Sequence, residues 1–330
     1  MPEGLTILVP VLLLVLAAEF VNGWTDAPNS IATVVSTRVL RPSSAVVMAA
    51  TLNIIGALVT GTAVAVTIGK GFVNLELISL PVIAAAMLAI VIWSTIAWRY
   101  GLPTSETHAL VSGLTGAALA AAGPSALIGV GWHKVLIGIG FSTFLGFGLS
   151  LTVMTALYWL LRRSSPHAVR SIFGRLQILS AAFMAFGHGS NDGQKFMGAF
   201  ALALVLGGAI TEFQVSTWVI LLCGTVMGLG TAFGGWRIIR TMGFKLTKLE
   251  PVHGFAAESS AGFAILLASF FGIPLSTTHT INTSIMGVGA TKRLSAVRWG
   301  VAGNIVLAWI LTFPICFAFG WLLALLFSLF

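Results

Sequence analysis

One polar phrase is written twice inside otherwise apolar text. It reads GLPTSETHALVSGLTG from Gly101 to Gly116 and GIPLSTTHTINTSIMG from Gly272 to Gly287. Aligned without a gap, His108 on His279, six of sixteen positions are identical: Gly, Pro, Ser, Thr, His and the closing Gly. A lipid-facing helix has no use for a Ser-x-Thr-His cluster behind a Gly-x-Pro breaker. Backbone that departs from helical geometry at membrane depth survives only where it is buried in protein or lines a polar cavity. A repeated segment of this kind is how many secondary transporters build a two-fold site.

The surrounding text is membrane-grade. A mean hydropathy of +1.01, with 57% hydrophobic and 8% charged residues, excludes a soluble domain. The 330 residues accommodate roughly ten spans of about 20 residues with short loops. Apolar segments fall at about 5–38 and 176–206 (both interrupted), 43–69, 78–98, 103–122, 135–161, 214–235, 254–271, 274–290 and 300–328. Glu3 precedes the first run with no Lys or Arg, which lacks the basic lead of a secretory signal and predicts a retained first helix. Cys223 and Cys316 sit in apolar runs without metal-ligand spacing and read as packing residues.

The net charge of +8 is a topology signal rather than a nucleic-acid signal. With the N-terminus outside, fourteen basic residues fall on one side: Arg38, Arg41, Arg99, Arg162, Arg163, Arg170, Arg175, Arg237, Arg240, Lys245, Lys248, Lys292, Arg293 and Arg298. Only Lys70 and Lys134 face the other side, while Lys195 lies within a span. The basic side is expected to be cytoplasmic, with both termini outside a cell (plasma or inner) membrane. Five segments per half make the second half enter from the opposite side. The expected fold class is therefore all-α integral membrane, about ten spans in two inverted-topology repeats, 1–165 and 166–330, with broken helices. The stretch Arg162–Arg175 is the expected hinge between them. Segments of about 20 residues at the repeated motif fit re-entrant hairpins as well as full spans.

A second element opens each half: FVNGWTDAPNSIAT from Phe20 and FGHGSNDGQKFMGA from Phe186, with Phe, Gly and Asp in register. Gly23 and Pro28 bracket Asp26; Gly187, Gly189 and Gly193 bracket Asp192. These residues predict unwound helices whose free N–H groups and positive dipole ends suit an anion. The carboxylates suit a proton or a metal cation, because an ionised Asp beside a bare anion is repelled. Together they describe an anion carried with a cation.

At these residues the chain resembles the inorganic phosphate transporter (PiT) family. NGWTDAPNSIATVVSTRVL and GHGSNDGQKFMG resemble its paired signatures, and GLPTSETHALVSG and GIPLSTTHT their Ser/Thr-rich partners. The resemblance runs over the whole chain and implies a phosphate symporter, driven by H⁺ or Na⁺, of the bacterial low-affinity type. It implies substrate contacts from Ser105, Thr107, Ser276, Thr278, Thr104, Thr277, Asn29, Asn191 and Lys195. Coupling-ion roles fall to Asp26, Asp192 and Glu106, with Na⁺ at Asp26, Asn29 and Asp192 as the metal alternative. His108 and His279 are expected to orient the Ser/Thr turns. Lys195 stands where the second signature often has Asn, and a fixed ammonium there favours H⁺ coupling.

Bland readings stand beside these. A buried Asp also serves as an interhelical hydrogen bond, and a hydroxyl also bonds back to its own helix carbonyl. Competing functions are transport of another oxyanion such as sulfate, a passive anion channel, or an intramembrane hydrolase using Ser190 or Ser105 with His188 or His108. A channel for anions would prefer a Lys/Arg lining, and no serine sits in a G-x-S-x-G elbow. The chain is not expected to be an enzyme, to need a cofactor or to bind nucleic acid. Its expected partners are phosphate, the coupling ion and lipid, and a homodimer is left open.

Overall fold

The computed structural model describes residues 3–329; Met1, Pro2 and Phe330 lie outside them. It is all-helical: α1 Glu3–Ser36, α2 Pro42–Val59, α3 Ala63–Gly71, α4 Leu80–Tyr100, α5 Glu106–Ala122, α6 Gly129–Gly140 and α7 Gly146–Leu161. There follow α8 Pro166–Leu206, α9 Thr217–Phe233, α10 Trp236–Ile239, α11 Pro251–Phe270, α12 Thr277–Lys292 and α13 Trp299–Phe327. A π turn at Phe141–Leu145 joins α6 to α7, so that 129–161 runs as one apolar segment. Another, Arg240–Lys245, follows α10. Six helices are long and apolar enough to cross a membrane, or seven if the bent α9–α10 unit counts as one span. That is fewer than the ten segments expected, because α5 and α12 are short and rich in buried polar residues and α11, though 20 residues long, carries His253, Glu258 and several serines.

The repeated motif is the grammar of a hairpin tip. Gly101 (φ 69°) ends α4 and Gly272 (φ 63°) ends α11, both left-handed, where glycine carries no Cβ penalty. Pro103 and Pro274 favour an extended approach, and Ser105 and Ser276 restart the helix as N-caps. Their hydroxyls accept the amides of His108 (3.3 Å) and His279 (3.2 Å). Each hairpin leaves where it entered. Before α4 and after α5, Val73 bridges Leu127, and the Ile128 amide meets the Phe72 carbonyl at 2.9 Å. Before α11 and after α12, the Arg298 amide meets the Leu246 carbonyl at 3.0 Å. The two tips touch each other, Thr107 Oγ1 donating to the Leu275 carbonyl at 2.8 Å.

Two expectations fail here. Neither α1 nor α8 is broken: both stay helical through Asp26 and Asp192. The glycines bring backbones together instead of unwinding them. A Cβ at Gly23 would lie 2.2 Å from the Met227 carbonyl oxygen, and one at Gly230 equally close to that of Phe20. On the other pair, Gly189 abuts the Asn53 carbonyl and Gly56 that of Phe186, each at 2.1 Å. So α1 lies flush on α9, and α8 on α2. Pro28 stays inside α1. The Trp24 carbonyl, which it cannot serve, faces Gly235, whose Cβ would stand 2.7 Å away. The hinge is also shorter than expected. Ser165 caps the Ala168 amide and Pro166 occupies the first turn, so helix runs through Arg170 and Arg175.

The basic residues converge at one end of the bundle, where Arg38, Arg162, Arg170, Lys248 and Lys292 line one cavity. Lys134 instead reaches Thr67 at 3.3 Å, and Lys70 lies over the Phe213 ring.

Overpacking a close helix contact costs about 1–3 kcal/mol. Gly189→Ala should therefore lower the thermal midpoint of the purified protein. Gly303→Ala, which meets nothing within 4 Å, should not. Equal midpoints for the two variants would mean that α8 is free to move off α2.

Candidate functional site

Where the hairpin tips meet α1 and α8, the chain concentrates its polar atoms. Thr278 Oγ1 donates to Asp26 Oδ1 (3.2 Å), and Thr277 Oγ1 to Asp192 Oδ2 (3.0 Å). Asn29 Nδ2 donates to both threonine hydroxyls, at 3.2 and 3.0 Å. Lys195 Nζ lies 2.5 Å from Asp192 Oδ1 one turn along α8, and His188 Nε2 is 3.5 Å from Asp192 Oδ2. Asp26, His188 and Asp192 each offer a ligand atom, all within 4.8 Å of one another. Every one of these side chains is buried.

Residues about 250 positions apart thus share one hydrogen-bond net. Two helices supply the acids and the tip of the second hairpin supplies the hydroxyls. At the starts of α5 and α12 the capping serines satisfy only the third amide. The first two amides of each helix have no intrahelical acceptor. The outcome is two threonine hydroxyls directly on two carboxyl groups, at the start of a helix whose first amides have no intrahelical acceptor.

Glu106 stands in a side branch, holding Thr25 (3.0 Å) and Ser94 (2.9 Å) and so tying α5 to α1 and α4. Asn191 does not face Asp192. Its amide grips the second tip, donating to the Ile273 carbonyl (3.2 Å) and accepting from the Leu275 amide (3.2 Å). His108 and His279 sit behind the tips with ring centroids 4.5 Å apart. His279 stacks on Trp309 and His108 lies against Phe313, a packed aromatic backing for the two turns. Thr104 is buried at the first tip. Thr107 contributes its hydroxyl to the tip-to-tip contact rather than to a carboxylate.

The sequence marks His188 only as a candidate hydrolase base and Glu258 only as an acid in apolar surroundings; the structure gives both other neighbours. His188 precedes Asp192 by one helical turn, a spacing that could have flagged it, and its Nδ1 meets Asn53 Oδ1 at 3.2 Å. Toward the basic end, Glu258 accepts from Thr33 (2.5 Å), Gln177 (3.1 Å) and Ser180, linking α1, α8 and α11. On α1 the polar positions Glu19, Asn22, Asp26, Asn29 and Thr33 recur at three- and four-residue spacing. They form one buried stripe about 20 Å long.

Among the described residues no serine hydroxyl bonds a histidine ring. Ser190 donates to the Gly187 carbonyl, and Ser105 caps its helix.

The chain matches the profile of the Phosphate transporter family over residues 22–320. It is 47% identical over 309 residues to a probable low-affinity inorganic phosphate transporter of Rhizobium meliloti (strain 1021), covering 93% of this chain and 92% of that one. A protein of Bacillus subtilis (strain 168) with the same description is 41% identical over 320 residues, 96% and 95% of the two chains. Among solved structures, one described as the sodium-dependent phosphate transporter superposes with a TM-score of 0.88 at 26% identity. It covers 98% of this chain and 99% of that one. The shared length and the profile match together make this a multi-pass membrane protein and not an enzyme; the chain belongs to the phosphate transporter family.

Proposed function

We propose that this protein is a secondary active symporter that takes up inorganic phosphate with H⁺ by alternating access. The observation that carries the reading is a charge imbalance. Among the described residues five carboxyl groups are buried (Glu19, Asp26, Glu106, Asp192 and Glu258), against one buried ammonium, Lys195. Each ionised group costs several kcal/mol within a bilayer. An anion can join such an interior only if cations or protons enter with it.

The threonines supply the coupling. A hydroxyl has one proton to donate. Thr277 and Thr278 give theirs to Asp192 and Asp26 in this structure. A phosphate oxygen beside them gains those donors only after the carboxylates are neutralised. Cation entry and anion binding are then one event. In this scheme phosphate lies between the starts of α5 and α12, against the first amides and Thr104, Ser105, Thr107, Ser276, Thr277 and Thr278. Lys195 neutralises Asp192 and so leaves the anion one carboxylate fewer to face, Asn29 and Asn191 position the tip, and His108 and His279 back it.

H⁺ is favoured over Na⁺ by the Lys195–Asp192 contact, which fills with a fixed ammonium the place beside one carboxylate that a mobile cation would take. A hard cation prefers oxygen ligands, whereas the Asp26–His188–Asp192 trio includes an imidazole nitrogen suited to exchanging a proton. The second reading, Na⁺ coupling, draws on the sodium dependence named for the similar solved structure and on the closeness of that same trio. We further read α4–α5 and α11–α12 as re-entrant hairpins, one in each of two inverted repeats, 1–165 and 166–330. The convergence of basic residues at one end supports a cytoplasmic face there and both termini outside the cell membrane. One repeat rocking against the other would expose the tips to each side in turn.

Phosphate uptake into sealed vesicles, with pH and Na⁺ gradients imposed separately, tests the coupling. An outside-acid gradient should drive accumulation and a Na⁺ gradient alone should not; the reverse result replaces H⁺ by Na⁺. Uptake should fall as external pH rises, because fewer carriers are protonated before phosphate arrives. Asp26→Asn and Asp192→Asn should each abolish gradient-driven accumulation while the protein stays folded, and normal accumulation by either removes that residue from the mechanism. Thr278→Ala should weaken apparent phosphate affinity by about ten- to a hundredfold, one hydrogen bond to a charged group being worth about 1.5–3 kcal/mol. An unchanged affinity would place the anion elsewhere.

A further inference from the structure

A cavity of about 560 Å³ opens at the basic end of the bundle, walled by the ends of α1, α7 and α12 and the starts of α8 and α11. Five basic side chains line it: Arg38, Arg162, Arg170, Lys248 and Lys292. Its one acid, Glu250, lies 3.5 Å from Lys292 and also caps the start of α11. The other four cations make no ion pair among the described residues. Ser164 and the Tyr158 hydroxyl add neutral polar groups on the same wall, while Ser36 and Thr37 already donate their protons to Thr33 and Gln177. The N-terminal turns of α8 (Pro166) and α11 (Pro251) open on it too, so two positive helix ends share the space with four unpaired cations.

Ordinary topology accounts for part of this. Basic residues collect on cytoplasmic loops, and Arg162 and Lys292 stand at helix C-termini, where the dipole favours a cation. Both reasons extend to the charge of Arg38, two residues past the end of α1, but neither requires its backbone conformation. Arg38 is the sole non-glycine residue with positive φ (62°) among those described. The chain turns there by a left-handed helix end, with the Arg38 amide on the Val35 carbonyl and that of Val39 on Val34, both at 3.1 Å. Glycine makes the corresponding left-handed turn at Gly101, Gly234 and Gly272. An arginine in this conformation carries a steric cost that a glycine avoids, and its side chain lines the cavity. Strained residues of this kind persist where their side chain has a task.

The cavity also lies in line with the central constellation. Thr37, on its wall, donates to Gln177 Oε1 at 2.8 Å. Gln177 in turn donates to Glu258, which also holds Thr33, one helical turn from Asn29. A chain of hydrogen bonds thus runs from the cavity wall to Thr33 on α1.

We infer that this cavity is a second anion site, which takes a phosphorylated anion at the cytoplasmic mouth of the transport path and slows uptake when occupied. Four cations held around one opening repel one another, and a multivalent phosphate relieves that repulsion with charge-assisted hydrogen bonds. The shared ligand chemistry is the phosphate group, whether on a soluble polyanion or on a lipid headgroup. The slowing of uptake rests on the transport reading and the orientation proposed above; the binding does not.

The test uses the full chain in sealed vesicles of neutral phosphatidylcholine, with inorganic tripolyphosphate presented to one face at a time. Tripolyphosphate at the basic face should inhibit phosphate uptake. The double variant Arg38→Gly with Lys248→Gln should need about tenfold more for the same inhibition, with KM for transported phosphate unchanged. Glycine suits the φ of position 38, so the variant keeps its turn. A second arm omits tripolyphosphate and adds anionic phosphatidylglycerol: slower uptake by wild type, relieved in the variant, would name a headgroup as the ligand. Inhibition only from the opposite face, equal in wild type and variant, would be competition at the transport site and would count against the cavity. Calorimetric binding of tripolyphosphate to the purified protein, weakened in the variant, reports on the cavity even where uptake fails. Equal binding and equal uptake by wild type and variant in every arm would overturn the proposal.

Discussion

A dehydrated interior that holds five carboxyl groups and one ammonium cannot exist without a dense set of polar partners. Each uncompensated charge would cost several kcal/mol at this depth. The fold therefore sets a hydroxyl or an amide against each of these carboxyl groups. Thr33, Gln177 and Ser180 serve Glu258; Thr25 and Ser94 serve Glu106; Thr277 and Thr278 serve the two aspartates. Four of these five acids draw a donor from an element distant in sequence, while Glu19 takes Asn22 from its own helix. Tertiary structure and charge neutralisation are the same set of contacts.

That arrangement requires helices closer together than side chains of ordinary size permit. Lipid gives no hydrophobic drive for one helix to seek another, so small residues and interhelical hydrogen bonds must hold the bundle. Gly23 and Gly230 do this between α1 and α9, as Gly189 and Gly56 do between α8 and α2. The first helix of each half thus lies on a helix from the other half. Such an exchange carries Asp26 and Asp192 to the same place. On the proposed inverted-repeat reading, it is also what lets one bundle move against the other without losing either carboxylate.

The helix breaks at Gly101–Pro103 and Gly272–Pro274 are legible in the sequence because their information is local, whereas the choice between hairpin and full span is not. A left-handed glycine, a proline and a capping serine within five residues stop one helix and start the next. The glycines around Asp26 and Asp192 are the opposite case. In one dimension a glycine that loosens a helix and a glycine that admits a neighbour look alike. Only the Met227 and Asn53 carbonyls distinguish them, and they lie far away along the chain. Glu258 was visible as a buried acid, yet Gln177 and Thr33 carry no mark in sequence of being its partners. The expected hinge failed for a different reason: Ser165 and Pro166 are a strong helix start, and they outweigh the basic composition that suggested a linker.

The two aspartates are repeated in sequence but unequal in place. Lys195 occupies the position on α8 that Asn29 occupies on α1, three residues after the acid. Asp192 consequently has an ammonium on one oxygen and Thr277 on the other, with His188 nearby. Asp26 has Thr278 on one oxygen, and the other, Oδ2, is buried with no hydrogen-bond partner among the described residues. A buried carboxylate oxygen without a donor is the costlier of the two to keep ionised. On the proposed mechanism the arriving proton is therefore drawn to Asp26, while the Lys195–Asp192 pair stays neutral as a unit. One substitution within a duplicated motif would then set both how many cations travel and which carboxylate receives them.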